Sequence, residues 1–336
     1  MRQSATFFLD DKLRSSARNG RHNFIGHFTA TLNEHGYKVD FQAEDALHRH
    51  RTGRVITHMT PPPPGGLTFR RVYHYPFWAI ETTSERWEWA VAKARFSPET
   101  VSKDVADRMY DRWQKRLFPD TCQTATREGF VYVPLQGRLL QHRSFQSCAP
   151  IDMLRHTLAA DREREVIATL HPNETYSGAE HDALDALCRD HPRLSVRTGA
   201  MEDMLQRCDY VVTMNSAAAF NGYFFGKPCI LFGRIDFHHI ALSASPDDLT
   251  AFDRIADHHP DYARYILWFW QDQCINAGRP DVRDRIRAAL IRAGWPMRTP
   301  TMTTVMVSVV APTGSGTRRI IPLPWVALAG KPVNRI

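Results

Sequence analysis

Between residues 130 and 233 the chain repeats one rhythm, and that rhythm constrains the fold more than any other feature. Five short apolar runs occur there: FVYVPL (Phe130–Leu135), EVIATL (Glu165–Leu170), LSVRT (Leu194–Thr198), YVVTM (Tyr210–Met214) and PCILF (Pro228–Phe232). Each is bounded by turn residues and reads as a buried strand. Helical patterns fall between them. SGAEHDALDALC opens on Ser177 with Glu180 three residues on, the spacing of a capping box, and sets Ala183, Leu184, Leu187 and Cys188 on one face. MEDMLQRC (Met201–Cys208) is a short helix, and SAAAFNGYFF stops at Gly226. Strands alternating with helices pair in parallel through right-handed crossovers. The expectation is an α/β fold with a Rossmann-like lobe over this part of the chain.

The remaining sequence is less regular. ATFFLD reads as a first strand, HNFIGHFTATLNEHGYKV as a helix followed by a strand, and THMTPPPPGGLTF as a loop. SERWEWAVAKARF reads as a helix with Trp87, Ala90, Val91 and Ala94 on one side. After residue 250, DDLTAFDRIADHHPDYARYILWFWQD and DVRDRIRAALIRAGWP are helical, the second running from an Asp281 cap to Gly294. From Met297 the helical period disappears, leaving one expected strand at Val305–Val310. With 336 residues there is chain for about two domains of ~150 residues. The expected division is an N-terminal α/β lobe at 1–118, a ligand-binding lobe at 119–250, helices packing back at 251–296 and an irregular tail at 297–336.

The chemistry gathers at strand ends. Ligands of an open α/β sheet bind beyond the carboxyl ends of its strands. After YVVTM come Asn215, Ser216 and Ala217, where a helix begins; its unpaired N–H groups and the two polar side chains suit a phosphate. A plain helix cap against the sheet explains the same stretch. After EVIATL come His171, Pro172, Asn173 and Glu174, where His171 can donate to a phosphate oxygen or act as an acid, or a polar turn suffices. After FVYVPL come Gln136 and Arg138, which face the same edge or are ordinary loop residues. Three polar strand ends on one sheet point to one crevice.

The net charge is +7. Basic residues collect early (Lys12, Arg14, Arg18, Arg21) and at Arg49, Arg51, Arg54, Arg70 and Arg71. They form a solvated surface or attract an acidic partner; no nucleic-acid motif accompanies them. Six cysteines without a CxxC pair read as reduced thiols in the cytoplasm. The start is too short and too acidic for a signal peptide. RYILWFWQ (Arg264–Gln271) is a core or interlobe helix, or a peripheral membrane contact. The adjacent pairs His238–His239 and His258–His259 lack metal-ligand spacing.

The series VPLQ, HPNE and MEDMLQRCDYVVTMNSAAAFNGYFFGKPCILFG, across residues 130–240, resembles the capsular polysaccharide biosynthesis family, whose members look like transferases of the acidic sugar Kdo. The resemblance implies two Rossmann-like lobes of GT-B type and a nucleotide sugar donor, CMP-linked in the Kdo enzymes, as substrate with no further cofactor or metal. By that analogy His171 and Pro172 contact the donor phosphate, Asn215, Ser216 and Ala217 cradle it, Gln136 and Arg138 stand beside it, and Met201 and Glu202 lie by the base and ribose. Lys227 and Pro228 match a structural GKP turn. The chain departs from the pattern at Leu170, where a basic residue is common, and at Ala217, where a second hydroxyl is common. A catalytic carboxylate is expected from the N-terminal lobe; Asp10, Asp11 and Glu81 are the candidates, with Glu174 beside His171. The expected acceptor is a glycan or glycolipid at the inner face of the membrane. A catalytically silent binding protein of a polysaccharide synthesis or export system fits the same residues. An α/β hydrolase does not, because no G-x-S-x-G elbow is present.

Overall fold

A computed structural model describes residues 3–50 and 52–298. The strand expected at Val305–Val310, and the tail around it, lie outside the described residues. Two six-stranded sheets organise the rest.

The first sheet contains β1 (Gln3–Leu9), β2 (Tyr37–Ala43), β3 (Arg54–His58), β4 (Leu67–Arg71) and β5 (Phe77–Glu81). Helices α1 (Asp11–Arg18) and α2 (Asn23–Glu34) join β1 to β2. Strands β2, β1, β3 and β4 are parallel in that order, and β5 runs antiparallel on β4. The Pro-rich stretch at residues 57–69 holds more structure than its prolines suggest. Its ends, Thr57–His58 and Leu67–Phe69, belong to β3 and β4, and the prolines occupy only the connection. SERWEWAVAKARF departs further from expectation. Only a 3-10 turn at Arg86–Glu88 and the short α3 (Ala90–Lys93) are helical. Trp89 is extended (φ −67°, ψ 158°) because its indole N–H donates to the Thr83 carbonyl at 2.9 Å, and Arg86 is drawn to Asp236. Helix α4 (Lys103–Leu117) then leads to the second sheet.

The second sheet contains β6 (Phe130–Pro134), β7 (Glu165–Leu170), β8 (Leu194–Thr198), β9 (Tyr210–Thr213), β10 (Cys229–Leu231) and β11 (Leu242–Ser243), all parallel. Helices α5 (Pro150–Ala160), α6 (Gly178–Asp190), α7 (Met201–Arg207) and α8 (Ala217–Gly222) form the crossovers. The capping box at Ser177 and Glu180 forms as its spacing predicts. The sheet order is β11-β10-β9-β6-β7-β8. Strand order therefore reverses between β6 and β9, the point at which a doubly wound sheet opens a crevice. In the first sheet the corresponding reversal lies between β1 and β3.

The chain then returns to the first lobe. Pro260 separates α9 (Ala251–Arg254) from α10 (Tyr262–Leu267), and the latter continues into a wider turn over Trp268–Gln273. β12 (Ile275–Asn276) pairs antiparallel with β5, and α11 (Val282–Arg292) packs on α2 and β5. RYILWFWQ is thus buried between lobes. Trp270 stacks on Phe77 of the first sheet at 4.4 Å and lies 5.5 Å from Phe220 of the second lobe. Burying each large aromatic contributes about 1.5–3 kcal/mol. No helix among the described residues is long and apolar enough to cross a membrane.

Candidate functional site

At the reversal between β6 and β9, three strand ends are tied together. Thr213 Oγ1 donates to the Pro134 carbonyl at 3.1 Å and accepts the Ser216 N–H at 3.3 Å. Gly233 backs this junction. A Cβ there would lie 2.8 Å from the Met214 carbonyl oxygen, so only glycine lets β10's exit loop pass so near. A cleft of about 350 Å³ opens above. Its floor is Tyr132 and Thr169, whose hydroxyls hydrogen-bond at 3.1 Å. Burial pushes the Tyr132 phenol up to about 12. Gln136, His171, Pro172, Met201, Ser216, Ala217 and Asn221 form much of the rim. Ala200, also on the rim, holds the left-handed backbone (φ 59°) and starts α7.

The His171 ring is oriented by its own turn. Its Nδ1 accepts the Asn173 N–H at 3.2 Å, and its backbone N–H donates to the Tyr176 hydroxyl at 2.9 Å. A neutral imidazole whose Nδ1 accepts carries its proton on Nε2. His171 therefore offers a donor suited to a phosphate oxygen. Ser216 Oγ caps α8 by accepting the Ala218 N–H at 3.3 Å.

Not every residue expected at this edge reaches it. Asn215 lines a neighbouring space rather than the cleft. Arg138 turns away in the left-handed region (φ 65°) and lines neither. Glu174 lies over Gly137, where a Cβ would meet its Oε2 at 2.7 Å, and does not line the cleft. Glu202 accepts the Thr121 hydroxyl at 2.5 Å, outside the cleft. Lys227 is buried and donates to the carbonyls of Cys208 (2.7 Å) and Thr126, a structural anchor for the GKP turn.

Across the gap, the reversal between β1 and β3 opens a second chamber of about 590 Å³. Lys12, His22, His58, Arg70, Arg71 and Arg86 line it, together with Ala217 of the cleft rim. His22 caps α2, its Nδ1 accepting the Ile25 N–H at 3.2 Å. Burial holds His22 and His58 below the usual imidazole range. Asp10, two residues before Lys12, does not line the chamber but lies within electrostatic reach of His58, its carboxylate capping α1 through the Leu13 N–H at 2.9 Å. Glu81 is elsewhere. Because β5 is antiparallel, its end pairs with Thr68 at the start of β4, away from the strand ends that form the chamber. There Glu81 accepts the Ala90 N–H at 3.3 Å and sits 3.7 Å from Arg292, while burial raises its pKa.

A third space of about 240 Å³ joins the others; Arg70, Arg86 and Arg143 line it with Gln136, Asn215 and Ser84. No Asp or Glu is among the residues lining these three spaces. The wall between the lobes is polar. His74 and Asn221 meet at 2.8 Å (Nε2 to Oδ1), and the Asn221 amide reaches the Met201 sulfur at 3.5 Å. Sequence reasoning missed Asn221, His22, His58, Arg86 and Arg143. Asn221 alone carried a local signal, a single amide in an otherwise apolar helix.

Two facing Rossmann-like lobes, with the C-terminal segment returning to the first, define a GT-B-like α/β fold. No family model matches the sequence, and no curated protein matches it. Among solved structures, the chain is similar to the KpsC β-Kdo 2,7-transferase of Thermosulfurimonas dismutans, at 11% identity and TM-score 0.48, covering 87% of this chain and 99% of that one. It is also similar to MnaA of S. aureus in a structure with UDP, at 10% identity and TM-score 0.31, over 80% and 97% of the two chains. A third likeness is the UDP-GlcNAc 2-epimerase of Neisseria meningitidis bound to UDP-GlcNAc, at 10% identity and TM-score 0.30, over 87% and 100%.

Proposed function

We propose that the protein is a glycosyltransferase that holds a nucleotide sugar in the second lobe's cleft and an acceptor in the first lobe's chamber. One observation carries the reading: a cleft at the strand-order reversal, rimmed by His171, Ser216 and Gln136, shares Ala217 with a basic chamber at the reversal of the other sheet. Ligands of doubly wound sheets bind at such crevices. The largely apolar cleft suits a nucleoside, and the His171 Nε2–H suits its phosphate. The basic chamber suits a glycan or glycolipid acceptor carrying negative charge. The sequence resemblance across residues 130–240 supports a CMP-linked donor and a place in surface polysaccharide assembly, in the cytoplasm with the basic lobe toward the membrane. The reading uses the nucleotide sugar as substrate and invokes no other cofactor.

A silent binding protein of the same system has one observation in its favour, the lack of carboxylates among the lining residues. Asp236 is committed to Arg86 and Tyr73, which leaves Asp10, within electrostatic reach of His58, as the carboxylate of the transferase reading. Calorimetric titration with CMP, UDP and GDP, repeated on His171→Ala, tests the donor site. Binding of one nucleotide, weakened at least tenfold in His171→Ala, is expected; no binding of any sinks the donor reading. Nucleotide binding by the wild type without turnover of any CMP- or UDP-sugar would favour the silent protein.

A further inference from the structure

We infer that Arg70 and Arg143, one from each lobe, form an oxyanion site for a phosphate group where the cleft meets the basic chamber. The smallest of the three spaces, about 240 Å³, is lined by both guanidinium groups with Arg86, Gln136, Asn215 and Ser84. The charge of Arg86 is taken up by Asp236. Among the described residues the other two have no such partner. Arg143 Nε and Nη2 are buried and make no hydrogen bond. Its guanidinium rests 4.8 Å from the Phe145 ring. Its backbone is nonetheless fixed: the Arg143 N–H donates to Gln146 Oε1 at 2.8 Å, and the Gln146 N–H returns to the Arg143 carbonyl at 2.9 Å. Among the described residues, Arg70 has no side-chain hydrogen bond or ion pair.

The surrounding charges do not supply the missing partner. Burial and Arg138 both disfavour charge on Arg143, opposed only by Glu174, which is exposed. Burial and Arg86 disfavour charge on Arg70, opposed by Tyr73 and Asp236, both engaged with Arg86. Keeping two guanidiniums half-buried and unpaired on the wall of one space is costly. Their planar donor forks match the oxygens of a phosphate, and Asn215 and Gln136 add amide donors. Gln136 also lines the cleft, so a phosphate bound here can remain attached to a nucleoside seated there. Only the source of the phosphate rests on the donor reading; the site itself does not.

The test is calorimetry with inorganic phosphate and pyrophosphate on the full chain, Arg70→Gln, Arg143→Gln and, as a control for lost charge, Arg155→Gln on the exposed face of α5. Affinity should fall at least tenfold in the first two variants and stay within twofold in the third, with circular dichroism melts confirming that all are folded. A conservative Arg143→Lys should recover part of the loss. Cytidine and CMP then distinguish the source. CMP weakened at least tenfold with cytidine unchanged assigns the phosphate to the donor. CMP unchanged, with pyrophosphate displaced by glucuronate, assigns the site to an acidic group of the acceptor. Loss of all nucleotide binding with arginine-dependent phosphate binding retained would remove the donor reading and keep this site. Absence of phosphate and pyrophosphate binding to the wild type, or binding unaltered in both variants, overturns it.

Discussion

Arg86 and Asp236 form a forked ion pair across the two lobes: Nη2 donates to Oδ1 at 2.9 Å and Oδ2 at 3.0 Å, and Nε to Oδ2 at 3.2 Å. Asp236 is fully buried. The Tyr73 hydroxyl donates to the same carboxylate at 2.5 Å, and the Tyr73 ring lies 4.3 Å from the guanidinium. Removing one partner strands a buried charge, which typically costs about 3–5 kcal/mol. Arg86→Ala is therefore expected to lower stability by that amount in urea unfolding at neutral pH. Arg86→Lys should recover only part, because an ammonium cannot reproduce the fork. A loss below about 1 kcal/mol for Arg86→Ala would contradict the assigned role.

Gly233 gives a second prediction. The group a Cβ would meet is backbone, the Met214 carbonyl at 2.8 Å, with the Phe145 carbonyl at 3.2 Å. Neither can swing aside as a side chain would. Gly233→Ala must displace the end of β9 and with it Asn215 and Ser216, at about 1–3 kcal/mol by the cost of overpacking. Thermal melts should show the loss and nucleotide titration should weaken. Gly137→Ala is the contrast, since its Cβ meets the mobile end of Glu174; its stability should change by less than about 0.5 kcal/mol.

The second lobe was legible because its central strands β6, β7, β9 and β10 are buried on both faces and read as continuous apolar runs. The strand ends that carry its polar residues then followed from the direction of the chain. The first lobe was not legible in the same way. β4 and β5 are joined by a short turn whose residues, Tyr73 and His74, serve the interlobe contact rather than turn formation. Glu81 was misplaced for want of one fact, that β5 is antiparallel. The basic chamber was invisible because it assembles residues from α1, the cap of α2, the ends of β3 and β4 and the segment at Arg86, which no local spacing connects. Lys12, Arg70 and Arg71 were seen only as charge.

His239 predicts a pH dependence. Its Nε2 contacts the carbonyls of Val91 and Ala94, each at 3.1 Å, and its Nδ1 faces the Tyr265 hydroxyl at 3.1 Å. That arrangement suits a neutral ring donating from Nε2 and accepting at Nδ1. Burial and His238 hold its pKa down to about 4. The unfolded chain therefore binds more protons than the folded one between pH ~6.5 and pH ~4, and stability rises with pH across that window. The contribution is fully present above ~6.5 and lost as pH falls toward ~4. It is worth about 2 kcal/mol after allowance for partial exposure. Burial shifts His22, His58 and His74 the same way. Urea unfolding at pH 7 and 4.5 should show the loss, and His239→Gln, whose amide can still donate to the carbonyls, should flatten the slope.

Ser216 separates folding from binding. Its side chain caps α8 through the Ala218 N–H at 3.3 Å, so Ser216→Ala should cost about 1 kcal/mol of stability whether or not a nucleotide binds. Aspartate is as good a cap as serine, and its charge favours a helix start. Ser216→Asp should therefore keep the wild-type melting temperature or raise it slightly. The same charge, on the cleft rim, would repel a phosphate. Nucleotide affinity should accordingly fall at least tenfold in Ser216→Asp and only a few-fold in Ser216→Ala, the reverse of their order in stability. Paired melts and titrations on the two variants check this. Equal binding by Ser216→Asp and the wild type would place the phosphate away from α8 and reduce Ser216 to a structural cap.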